Sequence, residues 1–116
     1  EIESMETGES SAAVRERVMM AREIQLERYK TIPGVVSNAD IPGRLIRDVC
    51  KMTVSAALEM RRRMELLNLS ARAYTRVLKV ARTIADLAGH DMVDMEDVME
   101  AVSYRKLDGG GQGFWA

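Results

Sequence analysis

Apolar residues recur at helical spacing along most of the chain, and Gly and Pro fall between the runs rather than inside them. From Ser10 to about Ile32 neither breaker occurs. Val14, Val18, Ala21, Gln25 and Ile32 fall on one face of that run, at the spacing of an amphipathic helix. Ser10 or Ser11 supplies its N-cap. Arg15, Arg17, Arg22 and Arg28 interleave with Glu16, Glu23 and Glu27, which predicts a solvated, partly self-paired face. Pro33, Gly34, Asn38 and Pro42 interrupt the pattern over residues 31–42. Pro42 fits the first position of a short helix over about residues 42–50, because its missing N–H is unused there. A further helix is predicted over about residues 53–67, with Val54, Ala57, Leu58, Met64 and Leu67 inward.

The longest clean pattern follows. Tyr74, Val77, Leu78, Ala81, Ile84, Ala85 and Ala88 hold one face over four turns. Ser70 caps this helix, Leu69 and Tyr74 form a hydrophobic staple, and Gly89 ends it. The last helix is expected over about residues 95–105. Asp94 is its cap, Val93 and Val98 are its staple, and Asp94, Glu96 and Asp97 place negative charge at its positive end. The expected fold is all-α, a compact bundle of about five helices over residues 10–107. Residues 1–9 read as an acidic linker and residues 108–116 as a flexible Gly-rich tail.

Composition narrows the chemistry. The 116 residues suffice for one domain, and 47% apolar content argues against disorder throughout. No run of eighteen apolar residues exists, and no signal-peptide pattern is present. The chain begins at Glu1 rather than Met, so it is expected to be a piece of a longer protein. A single cysteine, Cys50, and a single histidine, His90, exclude an internal disulfide and a Cys/His zinc site. A reducing, cytoplasmic compartment is the expectation. Cys50 lies in an apolar context and reads as a small buried hydrophobe. His90 follows Gly89 and reads as a solvent-facing turn residue. The nine methionines read as core filler, with a plastic docking surface as the other reading. No P-loop, H-E-x-x-H or G-x-S-x-G motif occurs, so the chain is not expected to catalyse a reaction alone. The GGGQG run has no predicted strand before it and no predicted helix after it, which argues against a nucleotide loop.

One placement of charge stands out. With Ser70 as cap, Arg72 falls in the first helical turn, where a cation opposes the helix dipole. The same helix end offers free N–H groups that suit an anion. At 100° per residue, Arg72, Arg76 and Lys79 lie along one polar face, with Arg82 at its edge and Asp86 closing it. Residues 69–88 carry a net charge of +3 and residues 89–108 a net charge of −4. Two readings apply: a phosphate-facing stripe, or a solvated face paired to nearby acids. Arg61, Arg62 and Arg63 form a second cluster. Three adjacent residues cover most of a helix circumference, so one of them must approach the apolar side.

Leu69-Ser70-Ala71-Arg72-Ala73-Tyr74, then Arg76, then the run from Leu78 to Leu87 resemble the C-terminal domain of magnesium-chelatase-like AAA+ ATPases of the ComM/YifB type. Glu9-Ser10-Ser11, Val14–Val18, Ala21-Arg22-Glu23, Gln25 and Arg28 resemble the family's segment leaving the ATPase core. Val98, Glu100-Ala101-Val102 and Tyr104-Arg105 resemble its closing helix. The resemblance covers roughly residues 9–107. It implies a helical lid behind an upstream P-loop core, with Arg72 as the sensor-2 arginine reaching the nucleotide γ-phosphate. Arg76 and Lys79 would contact phosphate or the subunit interface, and Arg82 phosphate, core or neighbour. ATP and Mg2+ are implied for the parent and none for this piece alone. The implied partners are the upstream core, neighbouring subunits of a ring (a hexamer by resemblance) and, through the parent, DNA, with no membrane. The alternative expectation is a stand-alone helical module binding nucleic acid or protein through Arg61–Arg63 and the basic stripe. A net charge of −1 and the scarcity of aromatics weigh against a dedicated DNA binder.

Overall fold

In the computed structural model, residues 10–107 are described; the linker and tail expected at 1–9 and 108–116 lie outside them. Five α-helices follow one another: α1 Ser11–Tyr29, α2 Ile46–Val49, α3 Val54–Leu67, α4 Ala71–Ala88 and α5 Met95–Leu107. Two 3-10 turns, Asn38–Asp40 and Gly43–Leu45, lie between α1 and α2. No strand is present among the described residues, but one isolated parallel bridge joins Met52 to Val93.

Each long helix starts where the sequence offers an oxygen. The hydroxyls of Ser10, Thr53 and Ser70 accept the backbone N–H of Ala13, Ala56 and Ala73, each at 3.1 Å. At α5 two carboxylates hold the first turn. The N–H of Met95 donates to the Asp94 carboxylate at 2.8 Å, and the N–H of Asp94 donates to the Asp97 carboxylate at 2.8 Å. Asn68 (φ 54°) ends α3 and Gly89 (φ 80°) ends α4, both in the left-handed region.

The core is split by α4. Ala73, Val77, Ala81 and Ala85 pack against Ala56 and Met60 of α3 and against Val98, Ala101 and Val102 of α5. Leu78 turns the other way, into a smaller cluster with Tyr29, Val35, Ile41 and Cys50. The staple residues Val93 and Val98 are both fully buried. Full burial of a valine-sized side chain contributes roughly 1.5–3 kcal/mol, so the entry into α5 is firmly held.

The buried residues of α3 are Ala56 and Met60, whereas Val54 and Leu58, expected inward, are 78% and 61% exposed and Ala57, also expected inward, is exposed as well. α3 offers two overlapping apolar stripes, and contact with α5 selects the one through Ala56 and Met60. α1 ends at Tyr29, so Ile32 packs from the following turn instead of from the helix. Val18 is 40% exposed, because α1 buries only Ala21, Gln25 and Tyr29. Pro42 is extended (φ −69°, ψ 151°) and precedes a 3-10 turn, so the segment over 42–50 is a turn plus one short helix. Ala88 is exposed at the end of α4. No helix is long and apolar enough to cross a membrane among the described residues.

Candidate functional site

The amino-terminal end of α4 is built by the turn before it. Left-handed Asn68 reverses the chain, Leu69 is buried, and Ser70 is extended with its hydroxyl occupied by the Ala73 N–H. This places Arg72 in the first turn, exposed to solvent. None of the ion pairs among the described residues involves Arg72. The N–H groups of Ala71 and Arg72 have no acceptor inside the helix, as first-turn geometry requires.

The basic stripe does not stay together. Arg76 is partly buried. The ammonium of Lys79 donates to the carbonyl of Ala39 at 3.2 Å, which ties α4 to the loop after α1. Arg82 leaves the polar face altogether and is 2% exposed. Its Nη1 donates to the Asp91 carbonyl at 2.9 Å and its Nη2 to the His90 carbonyl at 2.8 Å. The same Nη2 lies 3.0 Å from the Asp86 carboxylate. Arg82 therefore closes the turn after α4 and is not available to a ligand. Its Nε is buried without a protein acceptor.

Asp86 is the centre of a polar network that joins α1, the 38–40 turn and α4. Arg28, expected on a solvated face, clamps it with two hydrogen bonds, Nη1 to Oδ2 at 2.9 Å and Nη2 to Oδ1 at 2.8 Å. Arg28 also donates to Asn38 Oδ1 at 3.0 Å. Asn38 is 1% exposed, and every polar group of its side chain is used. Its Nδ2 donates to Thr83 and to Asp86, and its Oδ1 also accepts from the Tyr29 hydroxyl. Its backbone N–H donates to Gln25 Oε1 at 3.0 Å. Burial raises the Asp86 carboxyl, but hydrogen bonds from Arg28 and Asn38 and the charges of Arg82 and Arg28 outweigh it and hold the group below its ordinary value. The bond to Asp86 correspondingly raises Arg28. Burial also raises the Tyr29 hydroxyl.

Arg61, Arg62 and Arg63 divide as their adjacency requires. Arg63 is half-buried and pairs with Glu59 at 2.6 Å, Arg62 reaches the same carboxylate at 3.5 Å, and Arg61 is exposed. Cys50 is buried, and its thiol is pushed up to about 11, chiefly by that burial. His90 is one-third exposed, not fully solvated. Its Nδ1 lies 2.8 Å from the Asp97 carboxylate, which raises its pKa. No cluster of three or more metal-ligating side chains occurs among the described residues.

The Asp86 network was hidden by sequence separation, since Arg28 and Asp86 stand 58 residues apart. The one local signal was the spacing of Arg82 and Asp86, four apart beside the apolar positions 81, 84 and 85.

The family described as magnesium chelatase, subunit ChlI C-terminal, matches residues 8–105. The chain is 44% identical over 101 residues to the uncharacterized protein YifB of Escherichia coli, covering 87% of this chain and 19% of that protein. It is 42% identical over 100 residues to the competence protein ComM of Haemophilus influenzae, covering 86% and 19%. An uncharacterized Mycobacterium bovis protein, Mb2921c, is 36% identical over 99 residues, covering 85% and 20%. The chain thus spans about a fifth of the length of these relatives. No solved structure matches it. With nearly the whole described domain matched, this chain belongs to the magnesium chelatase subunit ChlI C-terminal family.

Proposed function

We propose that this domain is the helical lid of an AAA+ ATPase and that Arg72 is its sensor-2 arginine. The observation that carries the reading is the state of Arg72: exposed, in the first turn of α4, and outside every ion pair of the described residues. A cation at that position costs about 0.3–1 kcal/mol against the helix dipole. A phosphate supplied by another segment would reverse the sign, because it would meet both the guanidinium and the free first-turn N–H groups. During phosphoryl transfer such an arginine neutralises charge on the γ-phosphoryl, with Mg2+ and the phosphate-binding loop furnished by the upstream core. Loss of that contact after hydrolysis would release the lid and so couple nucleotide state to subunit movement.

The rest of the site supports this division of labour. Arg76 flanks Arg72 one turn along and is the second candidate for phosphate or a neighbouring subunit. Lys79 orders the 38–40 turn through Ala39, which gives it a structural task beside any ligand contact. Arg82 has no such role, being enclosed. α1 exposes Val18, Met19, Met20, Ile24 and Leu26, an apolar surface suited to docking on the upstream core. The parent would act as a ring, and the competence protein among its relatives favours DNA as the substrate it remodels.

The test is ATP turnover by the full-length parent carrying Arg72→Ala. Turnover should fall by about 100-fold or more, the size seen when one preorganised charge donor is removed. Wild-type turnover in a folded variant would refute the assignment.

A further inference from the structure

Arg47, Lys51 and Arg61 line two cavities, of about 600 and about 470 Å³, that adjoin between α3, α4 and the segment over residues 43–52. Met52, Ala57, Tyr74 and Thr75 line both, so the two form one groove. Its floor is apolar and no carboxylate lines it. The three basic side chains are exposed, and none joins an ion pair among the described residues. The nearby acids Asp48 and Asp91 line a separate cavity beside Lys51 and do not pair with it. A cationic rim over an apolar floor fits a segment that alternates acids with apolar side chains.

The chain carries such a segment outside the described residues. Residues 1–9 hold Glu1, Glu3, Glu6 and Glu9 with no base, and Ile2 and Met5 lie among them. We propose that this acidic segment of one copy docks in the groove of a second copy. The second copy follows from the direction of α1. Tyr29 packs beside Leu78, whereas Ala21 and Gln25 lie with Thr83 and Leu87, so α1 runs antiparallel to α4. Its first residue lies roughly 27 Å from Tyr29, toward the far end of α4 and away from the groove. Nine residues span at most about 31 Å, so docking within one copy would need the whole segment stretched backward. A contact between two different surfaces is heterologous and propagates head to tail, which closes into a ring or continues as a filament. The proposal does not rest on the ATPase reading.

Sedimentation of the 116-residue chain tests it. Association should rise with concentration and weaken at least tenfold between roughly 0.05 and 0.5 M salt, as exposed charges become screened. A chain carrying Arg47→Glu, Lys51→Glu and Arg61→Glu should lose self-association, and so should one carrying Glu3→Lys and Glu6→Lys. Mixing the two variants should restore association, since each then offers the charge the other lacks. A third variant, Ile2→Ser with Met5→Ser, should also weaken association at least tenfold and alters none of the described residues. A chain that stays monomeric, or a groove variant that associates like the wild type, overturns the proposal. Oligonucleotide binding that the groove variant abolishes, with self-association unaltered, overturns it in favour of nucleic acid.

Discussion

Replacing Asp86 by Ala would leave two guanidinium groups facing each other with no carboxylate between them. The Asp86 side chain is 1% exposed, and those of Arg82 and Arg28 are 3% and 21% exposed. Arg28 can swing toward water, but Arg82 cannot. Removing one partner of a buried ion pair costs about 3–5 kcal/mol, most of it the desolvation of the charge left behind. Asn38 also loses an acceptor for its Nδ2. Against a total stability of about 5–15 kcal/mol, that is a large fraction. At about 4–8 °C per kcal/mol for a domain near this size, the midpoint should drop by roughly 15 °C or more. Thermal and urea unfolding followed by circular dichroism would read it. The triple variant Arg28→Met, Arg82→Met, Asp86→Leu should recover much of the loss, since it removes the charges together. Wild-type stability also depends on pH in a fixed sense. The folded Asp86 pKa lies below the ordinary 3.8, so its contribution is complete above that value and is lost as pH falls through the folded pKa. A loss below about 1 kcal/mol in Asp86→Ala would refute the network as a stabilising unit.

The His90–Asp97 pair has the opposite sign. The folded His90 pKa is raised above 6.5, so the wild type should exceed His90→Gln in stability most below pH 6.5, and the gap should close as pH rises through the folded pKa. Urea titrations across that range would show the trend. Gly89→Ala should cost about 1–2 kcal/mol by denaturant unfolding, from the left-handed backbone alone, since no atom lies within 4 Å of the added Cβ. Cys50 should resist thiol reagents at pH 8 in the native protein and react freely in urea, because the thiol is buried and raised to about 11.

The fold was legible where chemistry was local. The Ser70 cap, the Leu69 and Tyr74 pair and the Val93 and Val98 staple follow from spacing within six residues, and most of the buried face of α4 from one repeat held over four turns. α3 was harder, because Val54 and Leu58 mark one stripe and Ala56 and Met60 another. Only the position of α5 chooses between them. At the start of α4, the Ser70 cap alone fixes Arg72 in the first turn. Arg82 was not separable from it by residue type, since a buried and a solvated arginine look alike in sequence. Arg28, Asn38 and Asp86 converge only after α1 folds back across α4. Such convergence leaves no periodic trace.

The Met52–Val93 bridge has a mechanical consequence. The Thr53 N–H donates to the Val93 carbonyl at 2.9 Å, and the Val93 N–H donates to the Lys51 carbonyl at 2.8 Å. The Thr53 hydroxyl, which caps α3, also donates to the Asp94 carboxylate at 3.1 Å, and that carboxylate sits at the start of α5. The origins of α3 and α5 are therefore knotted together across forty residues of chain, and unwinding either one exposes the cap of the other. The two helices should melt, and exchange their first amide protons, as a single cooperative block.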